Sequence, residues 1–118
     1  MELPDAEAEL DTRRFQITSD DYGLVVQEVK GLLYDREYYQ MVFDPWQVET
    51  AEALYGSMSD DLADIWRDLK VGLLAMDAGN LANAIADWRF SFRCHWGCHH
   101  ATHVLRPLLG IVLENEGA

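Results

Sequence analysis

The chain has 118 residues, 49% of them hydrophobic and 25% charged, and a formal net charge of −12. That length suits one domain spanning residues 1–118, long enough to bury a core. The charge excludes nucleic-acid backbones and anionic membrane surfaces as partners, since both need a basic face; it suits high solubility and docking onto a basic protein partner. Met1 to Leu10 carries no signal-peptide pattern, and no apolar run reaches the roughly 20 residues that a membrane-spanning helix needs. Two cysteines four residues apart make no disulfide framework. The expectation is therefore a cytoplasmic protein with reduced thiols.

Residues 1–17 read as an acidic arm, with Glu2, Asp5, Glu7, Glu9 and Asp11. Thr18 or Ser19 can cap a first long helix, with Asp20 and Asp21 favourable in its first turn. Tyr22, Val25, Val29, Leu32 and Leu33 recur at helical spacing and carry that helix to Val42. Asp44-Pro45-Trp46-Gln47 reads as a cap, a first helical residue and a capping-box partner for a short helix. That helix is expected to end near Tyr55, with Gly56 past its end. Ser57 or Ser59 then caps a helix from Asp60 to Met76, whose expected core face is Leu62, Ile65, Trp66, Leu69, Leu73 and Met76. Gly79 fits the stop, and Asn80 restarts the chain.

The last helix is read from Leu81. Leu81, Ile85, Trp88 and Phe92 form one apolar stripe, which His95, His99 and His103 continue. Trp88 and Phe92 are expected in the core, and His95 and His99 nearer to burial than His100. Phe90, Cys94, Cys98, Ala101, Leu105 and Leu108 form a second apolar stripe, so the helix is expected at the centre of its bundle. Pro107 predicts an end or kink near Arg106. The fold class that follows is all-α: a single-domain bundle of about four helices without a sheet.

The chemistry concentrates in Cys94–His103, which holds all four histidines and both cysteines. No Asp or Glu occurs from Trp88 to Leu113. Asp61, Asp64 and Asp68 share one flank of the preceding helix, which a short turn should pack antiparallel to the histidine helix. Imidazoles and guanidiniums lining a core need acceptors, and that flank supplies them. The candidate polar site is therefore Asp61, Asp64 and Asp68 against Arg89, Arg93, His95, Trp96 and His99. No cofactor is expected beyond a divalent metal such as zinc, nickel or iron, with His95, His99, Asp61, Asp64 and Asp68 as candidate ligands. Glu28 and Glu37 are further carboxylates able to complete such a set. Three histidines over two α-helical turns span about 12 Å, so one ion takes at most a pair of them. The plainer reading is neutral histidines hydrogen-bonded at the core boundary. Cys94 and Cys98 lack the second cluster of a zinc knuckle and read as inert thiols.

Two resemblances enter on specific residues. Asp60-Asp61-x-x-Asp64-x-x-x-Asp68 resembles the acidic helix of magnesium-dependent nucleotide pyrophosphatases, whose second motif of paired glutamates Glu28 and Glu37 do not form. Asp60-Asp61-Leu62-Ala63-Asp64-Ile65-Trp66-Arg67-Asp68-Leu69, then Trp88-Arg89-Phe90-Ser91-Phe92 and His95-Trp96-Gly97-x-His99, resemble an uncharacterised bacterial domain family of unknown function. Tyr38-Tyr39 and Asp44-Pro45-Trp46 are similar to it as well. The resemblance covers roughly residues 20–108 and implies a small cytosolic all-helical protein with no established activity. Its matching positions are Asp61, Asp64, Arg67, Asp68, Trp88, Arg89, His95, Trp96 and His99; His100, His103 and the cysteines fall outside it. Three functional readings follow: a non-enzymatic interaction or binding protein, a metal-dependent hydrolase with a His/Asp site between helices, and an acidic inhibitor that masks a basic enzyme.

Overall fold

The computed structural model describes residues 16–42, 44–49 and 54–116. Up to Phe15, the acidic arm lies outside the described residues. The described chain is mostly helical, as expected, but it also contains a two-stranded antiparallel hairpin: α1 (Ser19–Leu33), β1 (Tyr38–Met41), β2 (Leu54–Ser57), α2 (Met58–Asp77), α3 (Leu81–Ser91), a π-helix (Phe92–Ala101) and α4 (Thr102–Glu116).

α1 begins where the sequence places it. The Thr18 hydroxyl accepts from the Asp21 amide at 3.1 Å, with Asp20 and Asp21 on the positive end of the helix. It stops at Leu33, not at Val42, because Tyr34 adopts a left-handed backbone (φ 55°) that a helix cannot continue through. Past that break, Tyr38-Tyr39-Gln40-Met41 pairs with Leu54-Tyr55-Gly56-Ser57 in register Tyr38 to Ser57. Tyr55 and Gly56 thus lie in a strand, and the helix expected over 44–55 is absent from 44–49; residues 50–53 lie outside the described set. Asp44 still caps, but it caps a turn: its carboxylate accepts from the Trp46 amide at 3.0 Å.

α2 starts at its expected cap. The Ser57 hydroxyl accepts from the Asp60 amide and donates to Glu37, 2.5 Å away; Ser59 donates to the same carboxylate oxygen. Glu37 therefore ties the entry of β1 to the start of α2. Gly79 at φ +83° ends the turn after α2, and Asn80 caps α3 through the Asn83 amide at 3.0 Å. The core face of α2 is rotated from the expected one. Met58, Ala63, Gly72 and Ala75 are buried, whereas Leu73 and Met76 are exposed. The reason is close packing: the Trp88 indole lies against Gly72 and donates to the Leu69 carbonyl at 3.0 Å. Small residues let α3 approach, and this turns Asp61 and Asp64 inward.

Among the described residues, two apolar clusters hold the fold. One joins Ala75 and Ala84 with Val71, Leu74 and Trp88; the other joins Leu33, Met58 and Val104 with Val29, Tyr39, Leu62, Ile65, Leu108 and Ile111. From Leu81 to Glu116 the helical backbone runs without interruption, passing Pro107 rather than ending near Arg106. No helix among the described residues is long and apolar enough to cross a membrane.

Candidate metal centre between α2 and the π-helix

The ten residues Phe92–Ala101 form a π-helix, with the Thr102 amide bonded to the Gly97 carbonyl five residues back. This register is longer than the single π turns usual in helices. Gly97 makes it possible. A Cβ there would lie 2.4 Å from the Phe92 carbonyl oxygen and 2.5 Å from its ring, so only glycine fits under Phe92. The Phe92 ring meets Trp96 edge-on at 4.9 Å and is 52% exposed, so Phe92 is not the core residue that α-helical spacing suggests. Trp88 is half-buried.

The wider turn changes which histidines share a face. At α spacing, His95 aligns with His99 and His103; at π spacing it aligns with His100. His100 is buried at 9% exposure, His95 is half-buried and His99 is exposed, which reverses the expected order of His99 and His100. The His95 and His100 rings meet edge to face at 4.6 Å between centroids.

Both rings point at the acidic flank of α2. His95 Nδ1 lies 2.5 Å from Asp68 Oδ2, and His100 Nδ1 lies 2.7 Å from Asp61 Oδ1. A carboxylate oxygen beside each Nδ1 suits the tautomer in which Nδ1 is the N–H donor and Nε2 is the atom free to bind. The two Nε2 atoms are then left facing each other at 3.2 Å, and Asp64 Oδ2 lies 3.2 Å from His100 Nε2. Asp64, His95 and His100 can each turn one ligand atom into the same small volume, within 4.8 Å of one another. Asp60, Asp61 and His100 form a second such group, but His100 Nδ1 and Asp61 are already engaged with each other there.

A further layer fixes this set. Arg67 Nη2 donates to Asp64 Oδ1 at 2.8 Å, and its guanidinium lies 4.6 Å from the Tyr22 ring centroid. The Tyr39 hydroxyl donates to Asp61 Oδ2, and Tyr22 donates to Asp60 at 3.3 Å. Burial first, then the bond to Asp61 and its charge, raise the Tyr39 phenol above its ordinary range, so it stays a donor. Burial, with Asp64 and Asp60 nearby, does the same to Tyr22. Asp87 is also raised, by burial and by the charge of Asp68.

The structure thus brings together Asp61, Asp64, Asp68 and His95 from the sequence-derived set. His99 stands apart, lining a separate cleft with Val42, Pro45, Cys98, Thr102 and His103. Arg89 and Arg93 face solvent, outside the cluster; Arg67 is the guanidinium that meets it. Trp96 is half-buried, and its indole N–H finds no partner among the described residues. Glu28 is exposed, and Glu37 is engaged by Ser57 and Ser59. The sequence reading missed His100, Tyr39 and Tyr22. Gly97, a helical glycine with no turn to make, was the one residue able to signal a changed register.

Neither a curated relative nor a solved structure matches the chain. One family does, over residues 2–114: the chain belongs to the family described as a domain of unknown function, DUF5063.

Proposed function

We propose that this chain is a divalent-metal-binding helical domain, non-enzymatic, in which His95, His100 and Asp64 hold the ion and staple α2 to the π-helix. One observation carries the reading: His100 Nε2 lies 3.2 Å from both His95 Nε2 and Asp64 Oδ2, while the Nδ1 of each ring meets a carboxylate, and the three ligand atoms lie within 4.8 Å of one another. With both rings donating through Nδ1, the facing Nε2 lone pairs would repel, and a cation between them would relieve this. A proton on one Nε2 meets that need in part; a metal ion meets it for all three ligand atoms. Tetrahedral zinc with bonds of about 2.0–2.1 Å sets its ligand atoms roughly 3.3 Å apart, which the spacing here nearly matches. Carboxylate-backed histidines are a recurrent outer shell of metal sites, fixing the tautomer and raising ligand basicity. Imidazole pairs favour zinc, nickel or iron over magnesium or calcium, which prefer all-oxygen shells.

Burial favours a held ion over hydrolysis. Asp64 and His100 are both buried, leaving little room for a substrate beside the ion. The five carboxylates Asp60, Asp61, Asp64, Asp68 and Asp87 attract a dication and repel anionic substrates. Titration of chelator-stripped protein with zinc chloride in a calorimeter is expected to give one ion per chain. His100→Ala and Asp64→Asn are expected to lose at least ten-fold in affinity, and His99→Ala to be unchanged. Absence of heat with zinc, nickel and iron(II), or binding that survives loss of both His95 and His100, would refute the reading.

A further inference from the structure

α4 is apolar on two sides, and only one of them has a partner within the described chain. Val104, Leu108 and Ile111 pack into the cluster with Leu33 and Met58. About a third of a turn away, Leu105, Leu109, Val112 and Leu113 form a stripe at i, i+4, i+7 and i+8, each between 43% and 63% exposed. A single exposed leucine is ordinary, but a continuous four-residue stripe marks an interaction surface.

The charge distribution leaves this stripe open to a second copy. Two chains of net charge −12 repel each other across most of their surfaces. The segment from Trp88 to Leu113 carries no carboxylate, so two copies can meet along it without acid against acid. A two-fold axis passing by Leu109 would pair the helices antiparallel, setting Leu105 of each copy against Leu113 of the other. Thr102 then lies opposite Glu116, and Arg106 comes within about one helical turn of that carboxylate. Glu114, which pairs with Arg36 of its own chain at 2.7 Å, points away from this seam and is undisturbed.

We infer that the outward face of α4 is a homodimer interface: an isologous, antiparallel pairing of Leu105, Leu109, Val112 and Leu113 with the same residues of a second copy. It is independent of the metal-binding reading, since none of these residues belongs to the His/Asp cluster.

Sedimentation equilibrium of the full chain tests it. The expected mass is twice the 13.5 kDa of one chain. Leu109→Asp is expected to weaken association at least ten-fold with unchanged circular dichroism; Leu113→Arg provides a second variant should the first unfold. In a Cys94→Ser, Cys98→Ser background, Leu109→Cys is expected to form an interchain disulfide under mild oxidation, and Leu24→Cys is not. A wild-type monomer overturns the proposal, as does a dimer that both variants leave intact. Dimerisation only after deletion of residues 1–15 also overturns it, because the stripe would then be covered within one chain.

Discussion

His100 is the residue on which the cluster turns. It joins Asp61 through one ring nitrogen and faces Asp64 and His95 with the other. Removing it leaves two buried carboxylates short of a partner, though Tyr39 and Arg67 remain on them. His100→Ala is therefore expected to cost about 3 kcal/mol in urea unfolding, while exposed His99→Ala stays within about 0.5 kcal/mol. Equal losses would contradict the placement. Glu37 gives a pH dependence. Burial alone would raise its carboxyl, but the bonds from Ser57 and Ser59 outweigh that and hold it below its ordinary value of 4.5. Its stabilising contribution is thus present above that value and lost as pH falls through the lower folded one. Urea midpoints between pH 6 and 3 are expected to fall less steeply in Glu37→Gln than in wild type. Asp87 has the opposite sign. Burial and Asp68 raise it, so its charged form destabilises the fold at neutral pH. Asp87→Asn is expected to raise stability slightly at pH 7, with the gain vanishing below about pH 3.8.

Among the elements, the π-helix decides which residues meet. Gly97→Ala puts a Cβ against the Phe92 carbonyl, and the least strained response is a return to α register. His100 would then leave Asp61 and Asp64. The expected result is a loss of about 1–3 kcal/mol in stability, together with loss of zinc binding; a variant that binds zinc normally would show that the register is not essential. Gly72→Ala is a matched control: it displaces the Trp88 indole, at a similar cost to stability, without touching the cluster. Legibility in the sequence follows the same line. The starts of α1, α2 and α3 were readable because Thr18, Ser57 and Asn80 are side-chain caps with local partners. The acidic flank of α2 was readable because its spacing is α-helical. His100 was not, because alignment assumed 3.6 residues per turn where the backbone uses a wider one. The hairpin was hidden because its strands are four residues long and their pairing lies across a connection of a dozen residues. The rotated face of α2 was hidden because Gly72 and Ala75 pack by closeness, not by hydrophobic size.

At the scale of the molecule, an ion that binds only the folded chain adds to its stability by mass action. Zinc at a hundred times its dissociation constant is expected to add about 2.7 kcal/mol, read as a rise in melting temperature that chelator reverses. No rise at saturating zinc would count against the centre. The same geometry also says something about time. α2 and α3 are joined by a tight turn and meet through neighbouring sequence. The pairs that build the site close loops of 27 residues for Asp68 with His95 and 39 for Asp61 with His100. Short loops cost less entropy to close, so the α2–α3 hairpin is expected to form before the π-helix docks onto it. The ligand set would then be incomplete in the folding transition state. Zinc is expected to leave the refolding rate nearly unchanged and to slow unfolding, as stopped-flow mixing can resolve. For this chain, the ion would act as a latch on the way out of the native state rather than a guide on the way in.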